Sequence, residues 1–312
     1  MEWSNFPAKD LVLPYLDYEA RCNLRSCSKS DLAIVDSTDF VPEKMEIQEI
    51  KSQMDTEKSI IRLKIDTFTV WFIGKNEKTR IERAWGEEKM EMEEIKEENR
   101  FDLLRRYIDR FLKNGVFEAT SLAIVNPSFE PQAHWKIKTS NLLLECRGIP
   151  STWVINWLNT VVPDTKLRDL EVHNWNLEGI AELPLIYEVS RKLCFPSAAD
   201  LQDEHLERLK ATNLDLVAAR ATVEGVKNVV QRILRSSGEI SICAPLPYDF
   251  DPVILIPEDV KFQKMTSKNP GVSLFKIPAG NRILYHTQNI VRVIKKPEDE
   301  KRNYLLWPFH FN

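Results

Sequence analysis

Six short apolar pairs, each split by a single residue, recur through the middle of the chain. They are Leu122/Ile124, Leu142/Leu144, Leu170/Val172, Leu193/Phe195, Leu214/Leu216 and Ile240/Ile242, at successive steps of 20, 28, 23, 21 and 26 residues. Alternation at period two turns one side of a segment toward a core, the pattern of a half-buried strand. The intervals between the pairs carry helical spacing instead. Val154, Trp157, Leu158 and Val161 form a stripe behind Ser151, a candidate N-cap. Asp200 is placed to cap the next helix, with Leu206 and Leu209 facing inward, and Thr222 precedes the stripe Val223, Val226, Val230, Ile233 and Leu234. Pro184 interrupts the helix expected between the third and fourth strands, while Pro127 and Pro131 make the first interval a loop. Strand, helix and strand at so short a repeat imply parallel strands with right-handed crossovers, hence an α/β fold.

All five steps fall within the ~20–29 residues of a leucine-rich-repeat unit. Leu167, Leu170, Val172 and Leu177 occupy the apolar positions of that signature, with Trp175 where the repeat has Asn or Cys. The expected architecture is an irregular leucine-rich-repeat-like stack of parallel strands and helices, each unit buried only against its neighbours. Upstream, Ile61, Leu63 and Ile65, then Phe68, Val70 and Phe72, alternate around Asp66-Thr67 as a strand pair with a tight turn. The run from Glu87 to Glu98, seven glutamates against two lysines, reads as a solvated helix face or loop. Phe101, Leu104, Ile108, Phe111 and Leu112 share a helical face that Gly115 terminates. Beyond Ile242, prolines lead to Val253–Ile256, a hairpin of Val272–Ile277 with Arg282–Tyr285, and a strand near Ile290–Ile294. A tail with Leu305, Leu306, Trp307 and Phe309 follows. This last part is expected to cap the stack. The chain thus divides into a helical module at 1–42 and an α/β domain at 43–312, the latter comprising 43–118, repeats at 119–245 and a cap at 246–312.

Chemistry-bearing motifs are scarce. None of the 312 residues spells a phosphate-cradling glycine loop, an H-E-x-x-H zinc motif or a G-x-S-x-G elbow. Forty-three basic and 47 acidic side chains leave a net charge of −4, without the concentrated positive field that gripping a phosphate backbone requires. Arg105, Arg106 and Arg110 are interleaved with Asp102 and Asp109, and Lys295-Lys296 is flanked by Glu298 and Asp299. The five cysteines are scattered and the five histidines isolated from one another in sequence, which suits neutral thiols in a reducing compartment. No run reaches the ~18 apolar residues of a membrane span, and Met1–Asn5 has no secretory signature. The expectation is a soluble, non-enzymatic protein of the cytoplasm or nucleus, with no cofactor, metal, nucleic acid or membrane.

The first forty residues carry Trp3, Phe6, Pro7, Leu11, Leu13 and Leu16, then the run Arg21–Ser28. A unit of about forty residues cannot complete its own core, so it must dock on the rest of the chain or on a partner. The stretch from Trp3 to about Phe40 resembles an F-box, the adaptor-binding module of SCF-type ubiquitin ligases. Phe6-Pro7, Leu11, Leu16, Asp17, Arg21, Leu24, Arg25, Ser28 and Val35 carry the resemblance. The form with Leu24-Arg25 and Ser28 followed by Val35-Asp36-Ser37 is similar to the large nematode F-box family, whose members bear an F-box-associated α/β tail. The order of 180–193, 206–216 and 223–234 resembles that tail. What the resemblance implies is a substrate-recognition subunit. Phe6, Pro7, Leu11, Leu16 and Leu24, with Arg25 as polar support, would hold the adaptor and through it the cullin, while the C-terminal domain presents a target protein. The alternative is a scaffold that binds through its repeat stack and uses the N-terminus only as a cap.

Strand alternation locates the target surface. If Leu170 and Val172 face the core, then Asp169, Glu171 and His173 face the open side, as do Asn213, Asp215 and Val217, and then Ser241 and Cys243. Such a surface is mildly acidic and suits a basic or mixed segment.

Overall fold

The alternating pairs fall into a single register. In the computed structural model, which describes residues 12–38, 40–51, 59–75, 78–86, 88–109, 115–267, 269 and 271–295, one ladder of partners runs Met45–Leu122–Leu142–Leu170–Leu193–Leu214–Ile240–Val293. Two residues further along, Ile47–Ile124–Leu144–Val172 and Phe195–Leu216–Ile242–Val291 form parallel rows. Every one of these side chains is buried.

The strands are, in chain order, β1 (Lys44–Lys51), β2 (Ser59–Ile65), β3 (Phe68–Lys75), β4 (Lys78–Trp85), β5 (Glu88–Lys96), β6 (Val116–Val125), β7 (Lys136–Glu145), β8 (Asp169–His173), the two-residue β9 (Asn176–Leu177), β10 (Lys192–Ala199), β11 (Asn213–Ala218), β12 (Glu239–Cys243), β13 (Gln263–Met265), β14 (Ser273–Ile277), β15 (Arg282–Thr287) and β16 (Ile290–Lys295). All belong to one mixed sheet. Its centre is parallel: β1, β6, β7, β8, β10, β11 and β12 lie side by side. An antiparallel meander extends each side, β2 to β5 beyond β1 and β16 back to β13 beyond β12.

Seven helices accompany the sheet among the described residues: α1 (Tyr18–Cys27), α2 (Lys29–Ser37), α3 (Arg100–Asp109), α4 (Ser151–Asn159), α5 (Pro184–Glu188), α6 (Asp203–Arg208) and α7 (Val223–Arg235). From α3 onward their apolar residues join the ladders in one core, with Leu104, Trp157, Ile186, Leu206 and Val230 among the buried members. Because each connection returns over the same face, apolar residues crowd one side of the strands and the alternates are left on the other. None of these helices is long and apolar enough to cross a membrane.

Several local expectations are corrected. The acidic run at 87–98 forms the strand β5, paired antiparallel to β4. Ser151 does not cap α4; it is the first helical residue, behind Pro150. Asp200 caps no helix, because α6 starts later with a reciprocal capping box between Gln202 and His205. Pro184 begins α5, where its missing N–H and fixed φ cost nothing. Val253–Ile256 lies in a 3-10 turn, Pro252–Leu255, and its end. The C-terminal strands lengthen the sheet by pairing with β12, and Phe275, Ile277, Leu284 and Val291 join the same core. Thr222 does cap α7, accepting from the amides of Glu224 and Gly225. Of the three N-terminal helices expected, α1 and α2 lie among the described residues, preceded by a 3-10 turn at Leu13–Tyr15. Phe111, Leu112 and the tail at 305–309 lie outside them.

Candidate binding surfaces

Two surfaces stand out. The first belongs to the N-terminal helical pair. Asp17 accepts the Ala20 amide at 2.7 Å and starts α1, and Ser28 ends α1 and caps α2 by accepting the Asp31 amide at 3.1 Å. Arg25 ties the pair together by an ion pair with Asp36 at 2.7 Å. The centre of the unit sets buried Arg21 and Asp31 beside buried Leu13 and Val35. Arg21 is buried and donates to the carbonyls of Leu13 at 2.7 Å, Leu16 at 3.2 Å and Thr38 at 3.3 Å, with its guanidinium over the Phe40 ring. Tyr18 joins the unit to the sheet, its ring 5.2 Å from Phe68, 5.7 Å from Phe40 and 6.0 Å from Trp85. Burial, above all, pushes the Tyr18 hydroxyl above its ordinary range.

Among the expected adaptor-binding residues, Leu16 and Leu24 are half-buried and Arg25 is exposed on its ion pair. Phe6, Pro7 and Leu11 lie outside the described residues. Leu32, at 37% exposure, and Tyr15, at 88%, add to the apolar surface left facing water. Tyr18 and Phe40 were missed as anchors to the body, although paired aromatics at the two ends of a small helical unit are a usable signal.

The second surface is the sheet face opposite the apolar ladders. Its middle row, Ala123–Leu143–Glu171–Cys194–Asp215–Ser241–Arg292, crosses from β6 to β16 in register. Except for buried Cys194, all members are half-exposed. The expected target residues Asp169, Glu171, His173, Asn213 and Asp215 all lie on this face, each half-exposed. Asp169 is held by the Arg191 guanidinium, and Asn213 accepts the Glu239 amide at 3.1 Å.

Around Glu171 the side chains converge. Its Oε1 lies 2.6 Å from His173 Nε2, and its Oε2 accepts from Lys192 Nζ at 2.8 Å. The bond from His173, with further help from Lys192, brings the Glu171 carboxyl down to about 2. Cys194 Sγ lies 3.7 Å from Asp215 Oδ2. Burial first, and then the carboxylates of Asp215 and Glu171, push the Cys194 thiol up to about 12. Burial likewise raises Cys22, Cys146 and Cys243. These four thiols are protonated at neutral pH, unlike the depressed thiol of a nucleophile. Nothing near His173 or Cys194 in the chain announces that they meet, because only the register of β8 against β10 brings them together.

Fold and surfaces together define a mixed α/β protein with two exposed faces of different character. Comparison of the chain with family models, with curated proteins and with solved structures finds no match.

Proposed function

We propose that this chain is a non-catalytic recognition subunit whose N-terminal helical pair binds the adaptor of an SCF-type ubiquitin ligase. On this reading the α/β body is an irregular leucine-rich-repeat-like stack, and its open face holds a target protein. The cullin is reached through the adaptor. The observation that carries the reading is the division of labour within the helical pair. Arg21 and Tyr18 hold the unit together and to the sheet, while Leu16, Leu24 and Leu32 keep part of their apolar surface in water. A mere cap would turn those leucines against β2, β3 or α3. A stable partner interface buries ~1,200–2,000 Å² and draws most of its energy from a few apolar anchors.

The test is the double variant Leu16→Asp, Leu24→Asp. The expected result is loss of adaptor co-purification, with the β-sheet signal in circular dichroism and the melting temperature of the body unchanged. Adaptor capture that survives both substitutions removes the proposal. Collapse of the whole fold instead favours the cap, and with it a scaffold that binds only through its sheet.

A further inference from the structure

The parallel sheet sets three different metal-ligating groups against one another at the middle of the open face. Glu171 and His173 stand two residues apart on β8, so both project to the same side. Cys194 on β10 is the direct register partner of Glu171, and Asp215 on β11 is the direct partner of Cys194. Neighbouring strands are ~4.8 Å apart. Ligand atoms of Glu171, His173 and Cys194 accordingly all lie within 4.8 Å of one another. Asp215 adds a carboxylate oxygen 3.7 Å from the sulfur.

We propose that Glu171, His173, Cys194 and Asp215 form a binding site for a divalent transition metal of the zinc class. One imidazole nitrogen, one sulfur and two carboxylate oxygens are a donor set that zinc, cobalt(II) and related ions accept in tetrahedral geometry. Metal–donor bonds of ~2.0–2.3 Å require donors roughly 3.5 Å apart, so the donors of Glu171, His173 and Cys194 must shift from where they now stand to that spacing, with Asp215 approaching from beside the sulfur, for an ion to be held. The bond now joining His173 to Glu171 gives way to two bonds to the ion. Binding replaces the Cys194 thiol proton, which leaves to solvent, and the ion's charge is met by one thiolate and two carboxylates. Four protein donors make a closed site of structural kind, clamping β8, β10 and β11 across the centre of the sheet.

Lys192 is the resident competitor. Its ammonium sits 2.8 Å from Glu171 Oε2 and supplies the positive charge that the cluster holds without an ion. Magnesium and calcium take about six or more oxygen donors, whereas this set offers carboxylates from only two side chains, and the sulfur and imidazole disfavour both ions. This inference does not rest on the proposed ligase role, although Glu171, His173 and Asp215 lie on the same open face that the role assigns to a target protein.

The experiment titrates the purified full chain with cobalt(II) and reads the near-ultraviolet sulfur-to-metal charge-transfer absorption. The wild type is expected to give that band at one cobalt per chain, and zinc to bleach it by displacement. Cys194→Ser abolishes the band, and His173→Gln or Glu171→Gln weakens binding at least tenfold. Lys192→Gln strengthens it several-fold, an effect that general damage to the fold would not produce. A wild type without the band in excess cobalt overturns the proposal. So does a band that persists in Cys194→Ser and disappears in Cys22→Ser or Cys27→Ser.

Discussion

Arg21 and Arg282 are both almost wholly buried and both spend their guanidinium on main-chain carbonyls. Arg282 donates to Ile233 and Ser236 at 2.8 Å each, and to Leu234, thereby satisfying the C-terminal end of α7 from strand β15. Burial lowers the pKa of both groups, and the carbonyls hold the charge in place. A lysine cannot reproduce the planar fork. Arg282→Lys is expected to cost about 2–4 kcal/mol, the loss of one or two charged hydrogen bonds, read as a lower urea midpoint for the body. Arg21→Lys is expected to loosen only residues 12–38, read as faster hydrogen exchange there with the urea midpoint of the body unchanged. His286 gives a pH dependence. It is buried beside Phe250, and desolvation lowers its pKa below 6.5. The folded chain therefore keeps it neutral where the unfolded chain protonates it. Its contribution is complete above about pH 6.5 and is lost as pH falls from there toward the folded pKa. Urea midpoints measured from pH 8 to 5 should fall on acidification, and His286→Phe should flatten that fall. At this scale the sequence was only partly readable. A polar residue was wanted where Trp175 stands, and it is present one position earlier. Asn174 is buried, accepts the Trp175 amide at 2.8 Å and donates to the Ile149 carbonyl at 3.2 Å.

The elements whose signal is local were legible, and those fixed by partners some twenty residues away were not. The six alternating pairs all lie in β6, β7, β8, β10, β11 and β12, because burial on one face writes itself at every second residue. Asp200 instead receives the amides of Gly179 at 2.9 Å and Ala181 at 3.3 Å, clipping one connection to the next. Nothing next to Asp200 in the sequence announces those partners. β5 was misread because its acid count hid the alternation of Met90 and Met92 with Glu91 and Glu93. A charged strand at the end of a sheet also discourages pairing with other chains. Close approach between elements yields a sharper expectation. A Cβ at Gly238, just before β12, would sit 2.0 Å from the Thr212 carbonyl oxygen, a backbone atom. Gly238→Ala should cost about 1–3 kcal/mol by overpacking. At Gly74 the same atom meets chiefly the far end of Arg100, so Gly74→Ala should lower the urea midpoint far less.

At the scale of the molecule, one face of the sheet is committed to the core and the other carries paired charges. The choice of Asp169, Glu171, His173, Asn213 and Asp215 as open-face residues followed from alternation alone. Their grouping with Cys194 and Lys192 did not, since register between strands has no expression in a single sequence. The same division explains the N-terminal pair. Leu13, Val35, Arg21 and the aromatic contact through Tyr18 hold it in place, while Leu16, Leu24 and Leu32 keep part of their surface in water, the surface that the proposed function assigns to a partner. The most direct measurement of that claim is size-exclusion chromatography with light scattering on the purified chain mixed with purified SCF adaptor subunit. A one-to-one complex that Leu16→Asp with Leu24→Asp dissolves is the predicted result. Separate elution of the two wild-type proteins at tens of micromolar would contradict it.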